Sequence, residues 1–281
     1  MSSERVRAAA VQMDVRWGEI KANLDRVLQH LEEAVQGGAE LVVFPECALS
    51  GYCFEGLEES APYALRAGDG PLQAFAERCA QLGVTGVVGF LEREGEQQYN
   101  SALLARPDGS WAVYRKTHLP TLGIDRFVAR GDRLPVFSVP FGRMGILICY
   151  DVRFPEAPRV LGLSGAEVIA LPTNWPVGAE SSPDFITRAR AWENRVWIVA
   201  ANRVGVERGR RFIGRSQIVT PSGEVLQEAP GDKETILIAD LDLRTARQKA
   251  IVYEPGAWEL DITGDRNPAL YRRLVEATDG V

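Results

Sequence analysis

Histidine and cysteine are both scarce in this chain, whose 281 residues include two histidines and four cysteines. The cysteines, at positions 47, 53, 79 and 149, form no CxxC pair, and the sequence predicts no disulfide framework. A transition-metal site needs a cluster of nitrogen and sulfur ligands, which these counts and spacings do not offer. We therefore expect no metal site.

The chain also lacks an excess of basic residues. It has 32 Lys and Arg against 38 Asp and Glu, which gives a net charge of −6 and a pI of about 5.2. Nucleic acids and anionic membranes are bound by surfaces rich in Lys and Arg, so neither partner is expected. No apolar run reaches the roughly 20 residues of a transmembrane helix, and the first ten residues have no apolar core of signal-peptide length. We expect a cytoplasmic protein.

The motifs of two large enzyme classes are missing as well. No GxSxG segment is present, and a Ser-His-Asp hydrolase could use only one of the two histidines. No GxxxxGK[ST] segment is present either, which argues against a P-loop nucleotide enzyme. Neither class is expected here.

Short apolar runs alternate with amphipathic stretches along the whole chain, which is 46% hydrophobic and 25% charged. Their periodicity and the Gly and Pro residues between them predict helices at residues 18–36, 71–82, 155–163, 184–195 and 242–249. Strands are predicted at residues 7–12, 40–44, 84–91, 99–105, 111–115, 136–139, 144–148, 168–171, 196–201, 212–220, 224–227 and 236–241.

Two predicted hairpins interrupt the alternation of strands and helices, one over the turn at residues 107–110 and one over residues 221–223. This pattern predicts mixed sheets covered by helices, which takes about four layers rather than three. No linker, repeat or low-complexity segment divides the chain, so we expect one α/β domain over residues 1–281. The segment from residue 251 onward is expected to be irregular.

Three predicted strands lead into a chemically reactive side chain. ELVVFPE leads into Glu46, WAVYRK into Lys116, and RMGILICYD into Cys149. In open α/β folds, ligand crevices lie just beyond the carboxyl ends of the strands. If the three strands are neighbours, a carboxylate, an ammonium and a thiol meet in one place.

These three groups together suit attack on the carbon of a carbonyl or a nitrile. A thiol attacks as thiolate, and Glu46 could take its proton and later return it to a leaving amine or activate water. Lys116 would lower the thiol pKa and stabilise the anionic tetrahedral intermediate. The backbone N–H of Tyr150, which follows Cys149 at a strand-to-helix turn, is placed to bind the oxyanion.

Each residue also has a plainer interpretation when it is taken alone. Cys149 fits a buried apolar cysteine, Glu46 a solvated or helix-capping carboxylate, and Lys116 a surface charge. The shared position at strand ends favours a joint site, but composition and spacing by themselves leave the two interpretations balanced.

Three sequence blocks resemble those of a known family. FPECALSGY (residues 44–52), YRKTHLP (114–120) and GILICYDVRFPE (145–156) are similar to the signature blocks of the nitrilase superfamily, the carbon–nitrogen hydrolases. The resemblance continues through GAEVIALPTNWP (165–176) and RARAWENRVW (188–197) and covers nearly the whole chain. Three blocks in the right order and at the right spacing are very specific.

The resemblance implies a four-layer αββα sandwich with a Glu-Lys-Cys triad. On that basis Glu46 is the general base, Lys116 the stabilising cation and Cys149 the nucleophile that forms a thioester, with no metal or organic cofactor. The resemblance also implies a homodimer with helices packed face to face. The tail at residues 251–281 would pack on the partner subunit, or else on its own subunit.

One departure concerns a second glutamate that many members of the superfamily carry in the loop after the lysine. Here the loop reads THLPTLGIDRFVARGD (117–132), and Asp125 is the acid that can be aligned with that glutamate. The shorter side chain leaves open its role in holding Lys116 or positioning substrate. The alternative is a solvated pair between Asp125 and Arg126.

Other residues are expected at the pocket or in structural roles. Asn174 and Trp175 follow the predicted strand VIALPT, at a position where amidase relatives line the acyl pocket, although Trp175 could also pack in the core or at a dimer contact. Tyr52 is expected to pack at the pocket edge. Arg153 and Glu156 are interpreted as helix-start or interface ion pairs.

The residues after the cysteine indicate the reaction within the superfamily. CYDVRFPE resembles the amidase branches, whereas nitrilases more often carry CWEN at this position. We therefore expect a small linear amide as substrate, hydrolysed to carboxylate and ammonia. Nitrile hydrolysis and cleavage of an N-carbamoyl group are the enzymatic alternatives, and an inactive scaffold of the same fold is the non-enzymatic one.

Overall fold

The computed structural model describes residues 4–276, and its helices and strands follow one another much as the periodicity predicts. The strands are β1 (Arg5–Asp14), β2 (Leu41–Val43), β3 (Thr85–Glu94), β4 (Gln97–Ala105), β5 (Trp111–Arg115), β6 (Val136–Val139), β7 (Gly142–Ile146), β8 (Val168–Pro172), β9 (Trp197–Ala201), β10 (Arg203–Val204), β11 (Val206–Glu207), β12 (Arg210–Arg211), β13 (Gln217–Val219), β14 (Val225–Glu228), β15 (Thr235–Asp242), β16 (Ala250–Glu254) and β17 (Trp258–Asp261). The α-helices are α1 (Ile20–Gln36), α2 (Leu57–Ser60), α3 (Gly70–Leu82), α4 (Glu156–Leu163), α5 (Thr187–Asn194) and α6 (Arg244–Arg247).

Most of the strands belong to two large sheets. The first has the order β10–β1–β2–β3–β4–β5, with β15 also paired to β1, and the second has the order β14–β13–β9–β8–β7–β6. Strands β1, β2 and β3 run parallel, and two antiparallel steps through β4 return β5 to the same direction. Strands β7, β8 and β9 run parallel in the second sheet. The carboxyl ends of β2 and β5 therefore lie at one edge of the first sheet.

Side chains of the first sheet alternate between two apolar layers, as the two-residue period of a strand requires. On β2, Val42 packs in one cluster with Val27 and other residues of α1 and α3. Its neighbours Leu41 and Val43 face the other way, in a cluster that includes Ile169 of β8. The buried faces of α4 and α5 cover the opposite side of the second sheet. The order helix, sheet, sheet, helix confirms the expected αββα sandwich.

Most predicted elements have bounds that differ by one to three residues in the structure, and two changes have a local cause. The helix predicted at residues 184–195 begins as a π-helical turn at Ser182–Ile186 and continues as α5. The strand predicted at residues 212–220 is confined to β13, because Gly214 and Arg215 both adopt positive φ and bend the chain away from an extended path.

The expectation of an irregular tail from residue 251 is wrong for residues 251–261, which form a hairpin, and for Pro268–Val275, which forms a 3₁₀ helix. Strands β16 and β17 form an antiparallel hairpin, in which the Ala257 N–H donates to the Glu254 carbonyl across the turn. Gly256 supplies the positive φ of 74° that this turn needs. The rings of Tyr253 and Trp258 stack at a centroid distance of 4.1 Å on the hairpin surface. No helix within residues 4–276 is both long and apolar enough to cross a membrane.

Candidate active site

The structure brings together the carboxylate, the ammonium and the thiol that follow three strands. Glu46 comes shortly after β2, Lys116 directly after β5, and Cys149 shortly after β7. The Nζ atom of Lys116 lies 2.6 Å from Oε1 of Glu46, and both side chains are completely buried. Glu46 and Lys116 are both close enough to Cys149 for their charges to shift the pKa of its thiol, so the three groups share one site.

The turn that carries Glu46 is pressed against β3, and this close approach depends on a glycine. A Cβ atom at Gly89 would lie 2.6 Å from the Cα of Glu46 and 2.5 Å from the carbonyl oxygen of Pro45. Cys47, which follows Glu46, has a left-handed φ of 47°. Such a backbone costs about 1–3 kcal/mol and persists only where the surrounding structure holds it. The position of Glu46 is thus imposed by the fold around it.

Asp125 is a second carboxylate at the lysine. Its Oδ2 lies 2.5 Å from Nζ of Lys116 and accepts a 2.8 Å hydrogen bond from the Tyr52 hydroxyl. The loop reaches Tyr52 because residue 123 is glycine, where a Cβ would lie 2.5 Å from the Tyr52 ring. Asp125 is 3% exposed and makes no ion pair with Arg126 within the described residues, so the solvated pair does not form. The Asp125 carboxylate therefore holds the Lys116 ammonium directly.

Burial and neighbouring charges set the protonation of the site. Burial raises the pKa of Glu46, and the ammonium of Lys116 offsets this only in part. Burial alone would lower the pKa of Lys116, but the carboxylates of Asp125 and Glu46 raise it well above its ordinary value. Burial and the Glu46 charge raise the pKa of Cys149, which outweighs the lowering by Lys116. Lys116 thus lowers the thiol pKa as expected, but burial and the Glu46 charge outweigh it, and the thiol needs a base when it attacks.

Cys149 begins a 3₁₀ turn that spans Cys149–Arg153, and its φ of 46° is left-handed. The first N–H groups of a helical turn have no partner within the turn, and that of Tyr150 is one of them. The backbone N–H of Asn174 also hydrogen-bonds the Cys149 sulfur, which favours the thiolate. A backbone donor therefore lies at the sulfur, next to the position where the carbonyl oxygen of a bound substrate would become negative.

Two polar residues to which the sequence pattern did not point also belong to the site. Asn100, on β4, donates from Nδ2 to Oε1 of Glu46 at 2.6 Å and to Oδ1 of Asp125 at 2.8 Å. Asp151 is completely buried and hydrogen-bonded to both the cysteine turn and the segment around Lys116. The available signals are a polar residue in a buried strand and an acid two positions after the candidate nucleophile.

A cavity of about 230 Å³ opens at Cys149. Its walls are formed by Tyr52, Pro120, Leu122, Cys149, Tyr150, Arg153, Trp175, Pro176, Val177, Gly178 and Ala179. Tyr52 and Trp175 thus lie where they are expected, whereas the side chain of Asn174 is buried and is not part of the wall.

The interpretation of Arg153 as one member of an ion pair is not met within residues 4–276. Its guanidinium has no carboxylate partner there, and it contributes to the cavity wall instead. Glu156 likewise makes no ion pair within these residues.

A larger cavity of about 480 Å³, which includes Gly142 and Glu167, lies at the amino ends of β7 and β8 and contains none of the three reactive groups. In the described part of the chain, no three His, Cys, Asp or Glu side chains gather as a metal site would require.

Comparisons with known proteins agree with this geometry. A profile of the carbon-nitrogen hydrolase family matches residues 7–250. A nitrilase from Pyrococcus abyssi is 39% identical over 250 residues, which cover 88% of this chain and 93% of the relative. An (R)-stereoselective amidase from a Pseudomonas species is 36% identical over 277 residues, which cover 96% of this chain and 94% of the relative.

A solved structure of a mutant amidase from Nesterenkonia sp. AN1 is 28% identical, with a TM-score of 0.82 and 97% of each chain covered. That structure shows covalent addition of the acetamide moiety of fluoroacetamide at the active-site cysteine of the amidase. The likeness extends over both the sheets and the segments that carry the candidate site.

Proposed function

Because this chain belongs to the carbon-nitrogen hydrolase family, we propose that it hydrolyses a small linear amide to a carboxylate and ammonia through a thioester on Cys149. The observation that carries this proposal is the meeting of Cys149 with the buried Lys116–Glu46 pair beside a cavity. A nucleophile, a base and a cation in one water-poor site are the parts that acyl transfer needs.

The first half of the reaction forms the thioester. The Cys149 sulfur attacks the amide carbon while its proton passes to Glu46. The Lys116 ammonium and the Tyr150 N–H stabilise the negative oxygen of the tetrahedral intermediate. As the intermediate collapses, the C–N bond breaks, the proton moves from Glu46 to the leaving nitrogen, and ammonia departs. The acyl group stays on the sulfur.

The second half returns the enzyme to its starting state. Glu46 takes a proton from a water molecule, whose oxygen attacks the thioester carbon. Collapse of this second intermediate breaks the C–S bond, and the sulfur regains the proton. Asp125 keeps Lys116 charged and in place throughout, since its carboxylate lies 2.5 Å from the ammonium.

The size and polarity of the cavity favour a short acyl group. Its volume of about 230 Å³ is what roughly eight water molecules occupy in liquid water. Of the described residues in its wall, Arg153 alone carries a fixed positive charge, and most of the others are apolar. An amide with a short methylene chain and a carboxylate at its far end matches this wall, because the carboxylate can pair with the guanidinium.

Nitrile hydrolysis is the second candidate, since the same thiol can attack a nitrile carbon and the Pyrococcus abyssi relative is named a nitrilase. The experiment is to incubate the protein with glutamine, an ω-amide, hexanamide, an N-carbamoyl compound and a nitrile panel, and to measure ammonia. Faster ammonia release from amides than from nitriles supports the proposal. Faster release from nitriles favours a nitrilase. If no substrate releases ammonia and iodoacetamide does not alkylate Cys149 stoichiometrically, an inactive scaffold is favoured.

We further propose that the enzyme is a cytoplasmic homodimer. All four cysteines are free, as a reducing compartment favours. Val160 and Leu163 on α4 and Trp192 on α5 are large apolar side chains that are each more than 40% exposed on the outer helical layer. Pairing of this layer between two subunits would bury them. Sedimentation should give a dimer for the natural chain and a shift toward monomer for Trp192→Glu.

A further inference from the structure

Asp151 and Ile148 exchange two hydrogen bonds around the candidate nucleophile. The Ile148 N–H donates to Oδ2 of Asp151 at 2.9 Å, and the Asp151 N–H donates to the Ile148 carbonyl oxygen at 3.0 Å. This ring encloses Cys149, whose φ of 46° is unfavourable for a residue with a side chain. A strained residue of this kind keeps its conformation only when its surroundings hold it there. The Asp151 carboxylate is one of the groups that do so.

The same carboxylate also holds the segment that carries the lysine. Its Oδ2 accepts a 2.7 Å hydrogen bond from the Tyr114 hydroxyl. Its Oδ1 accepts hydrogen bonds of 2.9 Å from the Thr117 hydroxyl and from the His118 backbone N–H, and His118 Nδ1 lies 2.8 Å away. These residues flank Lys116 on both sides in the sequence. One buried side chain therefore links the end of β5 in the first sheet with the end of β7 in the second.

We propose that Asp151 is a positioning residue, which fixes the Cys149 sulfur relative to the Lys116–Glu46 pair. It does not contribute to the cavity wall, so it acts through the residues that it holds. The cysteine and the lysine belong to different sheets, and the packing between sheets is apolar and non-directional. Asp151 adds the directional contacts, and a misplacement of about 1 Å at a reacting centre costs on the order of 100-fold in rate.

Asp151→Asn tests this role with little change in volume. Whichever way the amide turns, its NH₂ group faces a backbone N–H, of Ile148 on one side or of His118 on the other, so one donor loses its acceptor. We expect kcat to fall about 30- to 100-fold, while KM changes less than about threefold. The rate at which iodoacetamide alkylates Cys149 should fall as well. The effect on kcat rests on the proposed function, whereas the effect on alkylation does not.

Glu167→Gln is the matched control. Glu167 is also a buried carboxylate that accepts a backbone N–H, from Arg143 at 2.8 Å, and pairs with Arg247, but it lies at the larger cavity far from the thiol. We expect this variant to lose stability and to keep the natural kcat, KM and alkylation rate. A general loss of packing would affect both variants alike.

Tyr114→Phe and Thr117→Val each remove one donor to Asp151 and leave the rest. Each should lower kcat about three- to tenfold, and in the Asp151→Asn background each should have a smaller effect, because the residues act through one carboxylate. Folded Asp151→Asn with natural kcat and alkylation rate overturns the proposal. If that variant does not fold, natural values in both single variants overturn it. If the natural chain hydrolyses no substrate, the proposed function fails, and the alkylation rates still decide the role of Asp151.

Discussion

The Lys116 ammonium donates a 2.6 Å hydrogen bond to Oε1 of Glu46, and neither side chain reaches solvent. Asn100 donates to the same oxygen at 2.6 Å, whereas Oε2 accepts no hydrogen bond from the described residues. In the proposed mechanism, Oε2 is therefore the oxygen that is free to take the thiol proton. Because burial raises the pKa of Glu46, this carboxylate is a stronger base than an ordinary glutamate, which suits a thiol whose own pKa is raised.

The raised pKa of Glu46 predicts where activity is lost on the acid side. Glu46 must be ionised to accept the thiol proton, so activity falls as the pH drops through its pKa in the folded enzyme. Since burial raises that pKa, the acid limb of kcat/KM should lie above the ordinary glutamate value of about 4.3. Asn100→Leu removes a donor that lowers the pKa of Glu46, and should move the limb to higher pH.

The measurement is kcat/KM against pH for the natural chain and the Asn100→Leu variant. Gln97→Leu, at the exposed start of the same strand, is the control and should leave the limb where it is. An acid limb at or below the ordinary glutamate value would argue against Glu46 as the base. An unchanged limb in Asn100→Leu would show that its hydrogen bond to Glu46 does not tune the base.

Asp125→Asn should move the alkaline limb to lower pH. Burial lowers the pKa of Lys116, and the Asp125 charge is the largest influence that opposes it. Without that charge the ammonium loses its proton at a lower pH, and kcat/KM falls with it. Asp125→Glu keeps the charge and should keep the limb. Equal alkaline limbs in the natural chain and in Asp125→Asn would remove Asp125 from the control of Lys116.

Arg153 predicts a preference for acyl groups that end in a carboxylate. Glutaramate and pentanamide have the same chain length and differ in that charge, so the natural chain should favour glutaramate. Arg153→Gln should lower kcat/KM for glutaramate at least about tenfold, mainly through KM, and leave pentanamide unchanged. Arg153→Lys should keep part of the preference. Equal use of the two amides by the natural chain would contradict this role and leave amide hydrolysis itself intact.

Cys149→Ala should abolish ammonia release from every amide while circular dichroism remains that of the natural chain. Of the described residues in the cavity wall, Cys149 alone carries a thiol that could form the thioester. Cys53→Ala is the matched control, because Cys53 is also a free, partly buried thiol near the site, and it should keep full activity. Retained activity in Cys149→Ala would remove this residue from the mechanism.

The three strand ends could be predicted because each predicted strand leads directly into its reactive residue. The packing of the two sheets then brings these residues together. The contact of Asp125 with Lys116 could only be inferred by alignment, since its loop has no periodic pattern. The turn at Gly256, after Pro255, is a hairpin signal that weak alternation on either side concealed. A single domain over residues 1–281 stays a prediction, and residues 277–281 of the expected tail lie outside the described residues.

Asn100 and Asp151 could not be predicted in the same way. The hydrogen bond from Asn100 to Glu46 joins residues 54 positions apart, and that from Tyr114 to Asp151 joins residues 37 positions apart. Helix and strand periodicity report which face of an element is buried, but not which distant polar group meets it there. Such pairs become visible only when the sheets are assembled.

In the proposed mechanism, the acyl group of the substrate becomes bonded to the sulfur of Cys149. The direct measurement is the intact mass of the enzyme, quenched in acid during turnover of a mixed amide and nitrile library, followed by peptide mapping. We expect a hydroxylamine-sensitive adduct of acyl mass on the peptide that contains Cys149, and no adduct in the Cys149→Ala variant. Active turnover with no adduct on that peptide, or with an adduct elsewhere, would contradict it.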